Sequence, residues 1–546
     1  MATVVVPGTE VLIDEDQSEY IHTLQHAKKG DGRILLVPQP SLTDPNDPLR
    51  WSVVKKWIVF VNGLGYTFLG SFIGPMMSGG MVQQAAFFGV SITRLSWSAA
   101  IALFMSGIAT WFLMPVSVKY GRRPVLLFST LTMGVGCIWC AVAAKKSFAS
   151  FFVGRAFAGF FAGPIEAIVP STITDMFFLH DRGEKISIYG LSILGGNELG
   201  PVVSAYIIQS IGMSWAFYIL AIAIFVLFIS IFFTMPETAY YGSRPSISRS
   251  SALNSAGTEP ATAIEKTEGA PTEKSTQASQ SVSDAETGTA EVPKHSYAWT
   301  LYPFHPSYIN NDISFKKAFL RPVILICYPT IFWATIVYGM SLCWNVVLAL
   351  TVAQLFAPPP YAFGSGAQGL IFLSPFIGSM VGTYLCGPLG DQIATYYTRR
   401  NNGVREPEMR LPIAAVACFL TFAGVAISGP CYYYKTHWFG PIFGFGVLST
   451  GAQMGANLSM TYAIDCHKEL AGELMITISV WKSTLAWAWS WFINDWVDLN
   501  GMMTVYFIIA AINVVVYAST VLFYYKGKSY RIWIQEKNLF ARYGLE

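Results

Sequence analysis

The sequence predicts an all-α integral membrane protein whose twelve transmembrane helices form two pseudo-symmetric bundles of six helices. Three observations lead to this fold class. Hydrophobic residues make up 53% of the 546 residues and charged residues only 12%, whereas a soluble domain carries about 25% charge. The hydrophobic residues occur in runs of about 20, the length needed to cross a hydrocarbon core of about 30 Å. One long polar stretch separates the first six runs from the last six.

The predicted spans follow one another with short connections, apart from this polar stretch. We place them at residues 57–79, 94–117, 124–144, 149–176, 186–208, 214–235, 319–346, 367–388, 411–434, 438–463, 471–495 and 502–525. The first span is not a signal peptide, because it follows a polar segment and lacks a small-residue cleavage pattern. We therefore expect a multi-pass protein whose surroundings are a lipid bilayer.

Five segments follow from these spans. They are a cytoplasmic N-terminal segment (1–56), a six-helix bundle (57–236), a disordered cytoplasmic linker (237–318), a second six-helix bundle (319–525) and a cytoplasmic tail (526–546). Residues 243–297 are rich in Ser, Thr, Ala and Glu and show no apolar periodicity. Such a composition cannot bury enough apolar surface to offset the entropy cost of ordering, which predicts disorder.

The positions of Lys and Arg predict the orientation of the spans, because short cytoplasmic loops carry an excess of these residues. The loops after spans 2, 4, 8 and 10 carry ten of them, and the alternate loops carry four: Arg94, Lys145, Lys146 and Lys435. Lys145 and Lys146 disagree with the rule, so the predicted orientation follows the set of loops that carries more Lys and Arg. Both termini and the linker are then cytoplasmic.

Composition and motifs exclude several classes of function. The formal net charge is only +3, so nucleic acid is not an expected partner. The sequence contains no phosphate-binding loop, no HExxH or GxSxG motif and no clustered metal ligands. We therefore expect no enzyme activity, no metal and no cofactor, and an ion gradient as the energy source. The division into six and six spans is typical of secondary transporters with a midplane site, and a channel or a membrane enzyme is the alternative.

Two loops at corresponding places carry related motifs. Residues 119–123, between spans 2 and 3, read K-Y-G-R-R, and residues 387–391, between spans 8 and 9, read G-P-L-G-D. The first resembles the end of the pattern G-x-x-x-D-R-x-G-R-R, which marks the major facilitator superfamily. The gating residues that this resemblance implies are Gly121, Arg122 and Arg123 in the first half and Asp391 in the second. Val118 replaces the aspartate of the first copy, so the gate ion pair there must be weakened or rebuilt.

Span 5 carries a second motif. Residues 196–205 read G-N-E-L-G-P-V-V-S-A, which resembles the antiporter motif G-x-x-x-G-P-x-x-G-G. Gly196 and Gly200 lie on one helical face, where small residues let a neighbouring backbone approach closely. Pro201 removes a backbone donor and bends the helix. In the family this motif accompanies proton-driven export.

The resemblance extends over most of the chain. Residues 44–51 read D-P-N-D-P-L-R-W, span 6 ends in M-P-E-T at 235–238, and the loop between spans 8 and 9 contains T-R-R-N-N-G-V-R-E-P-E-M-R-L. These segments resemble the fungal twelve-span drug:proton antiporter branch, whose members export drugs and secondary metabolites. Some relatives move polyamines or other small cations. The resemblance implies a small-molecule substrate exchanged for protons.

Three charged residues inside spans are the proton-coupling candidates, because each costs about 2.5–3.5 kcal/mol to insert by translocon scales. Arg155 and Glu166 lie eleven residues apart in span 4, hence on one face about 16 Å apart in a regular helix. Arg155 matches the family's span-4 arginine associated with proton coupling. Glu166 and Glu198 are the expected proton carriers, since an apolar site favours the neutral carboxyl and a nearby cation the ionised one. The alternative is that either glutamate bonds a backbone break at a proline.

A further set of residues is expected to line the substrate cavity. Lys482 lies too deep in span 11 to reach the interface, so it faces the cavity or an acid. Its partner is Glu198, Glu166 or the substrate. The other candidates are polar or aromatic residues of spans 1, 7 and 10: Asn62, Tyr66, Trp344, Asn345, Gln453 and Asn457. Interhelical packing is the alternative for the aromatic residues.

We interpret the sequence as a proton-coupled exporter of small amphipathic organic molecules that works by alternating access. Proton-coupled uptake of a small cationic nutrient such as a polyamine is the second interpretation, although Lys482 argues against a strongly positive guest. An integral-membrane enzyme or receptor is the third. The favoured location is the plasma membrane, with the vacuolar membrane as the alternative, and the favoured state is a monomer.

Overall fold

The computed structural model describes residues 10–11, 38–41, 44–242, 244, 295–305, 308–310, 314–401 and 404–545. Most of the stretch predicted to be disordered, 243–297, lies outside these residues. The described residues are almost entirely helical. The exception is a pair of two-residue strands, Glu10–Val11 and Val404–Arg405, which pair antiparallel and join the N-terminal segment to the loop between spans 8 and 9.

The first bundle contains six spans. They are span 1 (Val53–Phe72), span 2 (Ile92–Tyr120), span 3 (Arg122–Ala143), span 4 (Phe148–Met176), span 5 (Leu179–Leu194 continued by Gly200–Ile211) and span 6 (Met213–Thr234). Span 4 changes to a 3-10 turn at Gly163–Glu166, and span 5 widens to a π turn at Gly195–Leu199. A short helix, Met81–Phe88, connects spans 1 and 2.

The second bundle repeats this arrangement. Its spans are span 7 (Pro329–Phe356), span 8 (Ser365–Leu370 continued by Leu373–Arg400), span 9 (Ile413–Tyr433), span 10 (Phe439–Cys466), span 11 (Ala471–Ser490) and span 12 (Met502–Ala518). Helix Phe315–Leu325 precedes span 7, helix Ile493–Asn500 joins spans 11 and 12, and helices Thr520–Lys537 and Leu539–Arg542 follow span 12. Within the described residues, this agrees with the predicted twelve spans.

Nine of the twelve helices in the described part of the chain are long and apolar enough to cross a membrane. The other three, spans 1, 10 and 11, are at least 20 residues long but less apolar. Spans 10 and 11 carry Gln453, Asn457 and Lys482, and these polar residues face the interior. In spans 10 and 11, part of the lower hydropathy therefore comes from residues that line the cavity.

Corresponding helices make corresponding contacts in the two bundles. Spans 2 and 4, 3 and 4, and 3 and 6 pack together in the first bundle, as spans 8 and 10, 9 and 10, and 9 and 12 do in the second. A side chain on Gly159 of span 4 would overlap the Ala102 backbone of span 2, and one on Gly378 of span 8 would overlap the Gly446 backbone of span 10. Glycine lets the backbones of the paired spans approach closely at both places.

The described flanks of the predicted linker make specific side-chain contacts. Arg244 pairs with the buried Asp47 (2.7 Å), and the Trp299 ring stacks between the rings of His295 and His305 at 3.6 and 3.7 Å. Tyr241 donates to the Val118 carbonyl (2.6 Å) and Tyr297 to the Phe233 carbonyl (2.9 Å), so these flanks also contact the first bundle. Most of the remainder of the predicted linker, residues 245–294, lies outside the described residues.

Two hydrogen bonds define the faces of the molecule. Arg321, in the helix before span 7, donates to the Leu545 carbonyl near the C-terminus (2.8 Å). Trp111 of span 2 donates to the Phe319 carbonyl of the same helix (2.8 Å). The linker flanks and the segment after span 12 therefore lie on one face, which we call the linker side. The opposite face is the far side.

Candidate functional site

A cavity of about 700 Å³ lies between the two bundles. Spans 1, 2, 4 and 5 line it from the first bundle, and spans 7, 8, 10 and 11 from the second. Its wall is largely Ala, Ile, Leu, Val and Gly, with a small number of polar side chains. A cavity of this size and character fits a drug-sized molecule.

Aromatic contacts between spans 2 and 11 close the cavity on the far side. The rings of Trp97 and Trp491 lie 4.7 Å apart, and those of Phe104 and Trp487 stack at 4.7 Å. Each pair joins one residue of the first bundle to one of the second. Access from the far side therefore requires these rings to separate.

Spans 5 and 8 diverge toward the linker side. At their far ends, the Gly366 amide donates to Gln209 Oε1 (2.7 Å). Nearer the linker side, Gly183, Gly190 and Gly387 line the cavity, and a side-chain carbon at any of them would meet no atom of the described residues within 4 Å. The cavity therefore opens between these two spans on the linker side.

Lys482 forms an ion pair with Glu166 across the two bundles. Its Nζ donates to Glu166 Oε1, and the Ser479 hydroxyl donates to Glu166 Oε2. Glu166 belongs to span 4, whereas Lys482 and Ser479 belong to span 11. Of the three partners that the sequence leaves open for Lys482, the structure selects Glu166. Both carboxylate oxygens of Glu166 have a donor, so this glutamate is already neutralised.

Glu198 is buried in the cavity wall without a charged neighbour. Its side chain is only 3% exposed and makes no hydrogen bond or ion pair with any described residue. It lies in the π turn of span 5 and lines the cavity. Glu198 is therefore a buried carboxyl group that faces the cavity and has no partner among the described residues.

The motif of span 5 accounts for the position of this turn. Gly196 packs against the Phe68 carbonyl of span 1, too closely for any larger residue, and Gly200 also faces span 1. Pro201 cannot donate to the carbonyl four residues before it, and the π turn Gly195–Leu199 directly precedes it. The motif therefore presents Glu198 to the cavity.

Arg155 contacts no carboxylate of the described residues. It is fully buried, and its guanidinium donates to the carbonyls of Ser98 (3.3 Å), Ile73 and Gly74 (2.8 Å). The 3-10 turn Gly163–Glu166 also interrupts the regular helix that we expected between Arg155 and Glu166. Arg155 here joins span 4 to spans 1 and 2.

Three predicted lining residues face the cavity and bond to one another or to neighbours. Gln453 donates to Asn457 (3.1 Å), and Asn457 donates to Thr383 (3.4 Å). The Ser449 hydroxyl donates to Asn345 Oδ1 (3.3 Å). These side chains form a polar strip on the wall of the second bundle.

The other three predicted lining residues, Tyr66, Asn62 and Trp344, lie outside the cavity wall. The Tyr66 hydroxyl bonds the Ser129 hydroxyl (2.8 Å), and Asn62 donates to Thr234 (2.8 Å). Trp344 is buried against the ring of Tyr506. The correction has a simple cause: residue type indicates a buried polar contact but not the helical face that carries it.

The loop motif of the first bundle, residues 121–123, contacts two carboxylates from other segments of the chain. Arg122 pairs with Asp175 at the end of span 4, and Glu237 accepts hydrogen bonds from the backbone amides of Arg122 and Arg123 (both 3.0 Å). Gly121 has φ +98° and leaves no room for a side chain beside Glu237. The missing aspartate at position 118 is thus replaced by contacts from spans 4 and 6.

The second bundle carries a corresponding network. Asp391 pairs with Arg410, and Arg410 also pairs with Asp465 at the end of span 10 (2.9 Å). Sequence reasoning missed Asp175, Asp465 and Glu237. The signal was a single carboxylate at the linker-side end of spans 4 and 10, which are equivalent positions in the two halves.

Replacing Glu237 with Gln is expected to lower the stability of the folded protein by about 2 kcal/mol. The amide places an NH₂ group against one of the two backbone amides and removes the negative charge at the start of span 3. Thermal unfolding in detergent measures the effect. The exposed Glu536 offers a matched Glu→Gln control, and equal midpoints for the two variants would contradict the assignment.

Known proteins resemble this chain in sequence over most of its length. The sequence profile of the Major Facilitator Superfamily matches residues 57–491. An uncharacterized MFS-type transporter of Schizosaccharomyces pombe is 26% identical, over 97% of this chain and 93% of that protein. The efflux pump radE of Floropilus chiversii is 23% identical, over 89% of this chain and 83% of that protein.

A solved structure has the same fold. It is the xylose transporter XylE from E. coli in a partially occluded inward open conformation, with a TM-score of 0.55. The match covers 86% of this chain and 99% of that chain at 12% sequence identity. At this identity the likeness concerns the fold alone.

Proposed function

Because the chain belongs to the major facilitator superfamily, we propose that it is a proton-coupled secondary transporter that exports small amphipathic organic molecules by alternating access. The substrate binds in the cavity between the bundles. The bundles then rock about this site, which exposes it to one side of the membrane at a time.

The observation that carries the proton coupling is Glu198. It is a buried carboxyl that lines a largely apolar cavity and has no partner among the described residues. Such a group takes up a proton when the cavity is exposed to an acidic compartment. It releases the proton when a substrate, or water on the other side, stabilises the ionised form. Glu166 and Arg155 have supporting roles in this proposal, because each already makes hydrogen bonds with other described residues.

Three observations support export of amphipathic molecules. The cavity opens on the linker side, which the distribution of Lys and Arg predicts to be cytoplasmic, so the open site would load from the cell interior. Its apolar wall, which has few fixed polar contacts, tolerates varied shapes. The name of the relative radE, an efflux pump, agrees with this direction.

We propose the plasma membrane as the location, with the vacuolar membrane as the alternative, and a monomer as the working unit.

A second candidate function is proton-coupled uptake of a small cationic nutrient. The Glu166–Lys482 pair neutralises both members, so Glu198 is the unpaired charge-bearing group of the cavity wall among the described residues. A carboxylate in this position attracts a cation. This observation favours a positively charged substrate in either direction of transport.

Inverted membrane vesicles with an acidic lumen distinguish the two functions. We expect such vesicles to accumulate ethidium, an amphipathic cation, faster than vesicles with equal pH on both sides, because protons leaving the lumen drive its entry. Vesicles that contain the Glu198→Gln variant are the control. Accumulation of spermidine only in right-side-out vesicles would support uptake instead, and no accumulation of either probe would contradict both functions.

A further inference from the structure

The polar groups of the second-bundle wall have unused hydrogen-bonding capacity. Gln453 uses its Nε2 to donate to Asn457, whereas its Oε1 has no partner among the described residues although it is shielded from solvent. An acceptor in this state costs free energy unless a ligand supplies a donor. Gln453 lies in span 10 and lines the cavity, so rotation of its amide group would present this oxygen to a hydroxyl group of a bound molecule.

The neighbouring span offers the complementary groups. The Lys482 ammonium has three N–H groups, and its hydrogen bond to Glu166 uses one of them. The ammonium also lies 5.8 Å from the centre of the Tyr338 ring, inside the cavity wall. Each Glu166 oxygen already has one donor, whereas Lys482 keeps two N–H groups, so the pair can offer a charged donor to a guest. A carbonyl, phenolate or carboxylate oxygen therefore fits beside Lys482.

Asn345 of span 7 adds a second donor. Its Oδ1 accepts from Ser449 (3.3 Å), and its amide nitrogen makes no hydrogen bond with any described residue. The wall thus combines one open acceptor, on Gln453, with open donors on Lys482 and Asn345. The remaining lining is largely apolar, so these groups can orient a flat or rigid molecule whose body makes only apolar contacts.

We propose that spans 7, 10 and 11 form a subsite for oxygenated amphipaths, which bind through a hydroxyl group donated to Gln453 and an oxygen acceptor bonded by Lys482. Hydroxy-ketones and phenols with a carbonyl substituent have this chemistry. The subsite deepens the proposed function by naming a substrate class, and its binding test does not depend on proton coupling.

Binding of four naphthalene derivatives to the purified protein in lipid nanodiscs tests the subsite. The probes are 6-acetyl-2-naphthol, 2-acetylnaphthalene, 2-naphthol and 2-ethylnaphthalene, which carry both groups, the ketone, the hydroxyl and neither. Quenching of tryptophan fluorescence reports binding, corrected with empty nanodiscs. We expect the hydroxyl to tighten binding about fivefold and the ketone about tenfold, because the second bond is made to a charged donor.

Variants assign each gain to a residue. Gln453→Leu should abolish the gain from the hydroxyl and keep the gain from the ketone. The paired variant Glu166→Gln with Lys482→Met, which avoids an unpaired buried charge, should do the reverse. Gln392→Leu, at an exposed position of span 8 outside the cavity wall, is the control and should keep both gains.

The outcomes separate this subsite from the transport function. Equal affinities for all four probes, or a hydroxyl gain that persists in Gln453→Leu, would overturn the subsite while leaving proton-driven transport intact. Loss of each gain in its own variant supports the subsite even in a protein that fails to couple transport to protons.

Discussion

Replacing Glu198 with Gln is expected to reduce transport driven by a pH gradient at least tenfold and to leave the protein folded. The amide has nearly the same shape, and Glu198 makes no hydrogen bond or ion pair with the described residues that the change would break. Gln cannot exchange a proton, so the bundles lose the step that couples the gradient to the solute. The rate of ethidium accumulation in proteoliposomes measures the loss.

Two controls isolate the proton step. Glu184→Gln changes an exposed carboxylate in the same span, whose side chain is 67% exposed, and should transport at the wild-type rate. Exchange of labelled for unlabelled solute without a gradient should continue in Glu198→Gln, because it needs only binding and rocking. Wild-type gradient-driven transport in Glu198→Gln would remove this residue from the mechanism.

Replacing Lys482 with Met is expected to destabilise the protein by about 3 kcal/mol, since it leaves the Glu166 carboxylate without its cation. The side chains of this pair are 19% and 20% exposed, so solvent relieves only part of the cost. Adding Glu166→Gln to the same protein should restore most of the lost stability. Thermal unfolding in detergent compares the single and paired variants.

Lys526→Met, at an exposed position after span 12, is the control for the loss of a lysine. Its unfolding midpoint should match that of the wild type. A paired variant that is no more stable than Lys482→Met alone would show that Glu166 and Lys482 contribute independently, and the link between spans 4 and 11 would then need another explanation.

The fold was predictable because the bilayer imposes a strong constraint on sequence. Every span must satisfy its own backbone hydrogen bonds and expose apolar side chains, so a run of about 20 apolar residues has few other structures available. The less apolar spans 10 and 11 were still recognisable by length. The match of the superfamily profile to residues 57–491 confirms the resemblance inferred from the loop motifs.

The candidate site was predictable only in part. A charge inside an apolar span indicates a buried functional or structural contact, which identified Glu166, Glu198 and Lys482 as residues of interest. The partner of such a charge depends on how helices from different bundles meet, and this information is not local to any span. The π turn of span 5 and the 3-10 turn of span 4 also change which way side chains point. Tyr66 and Asn62 of span 1 were expected in the cavity and lie between helices, because residue type does not show which helical face a side chain occupies.

Proton movement coupled to solute movement tests the central claim most directly. Purified protein is sealed into liposomes that contain a trapped pH indicator, and ethidium is added outside at equal pH. Ethidium carries no titratable proton near neutral pH, so any pH change reflects the protein. We predict that the lumen becomes more alkaline as ethidium enters and that liposomes with Glu198→Gln show no such change. Entry of ethidium without a change in lumen pH, or an equal change in both preparations, would contradict the account.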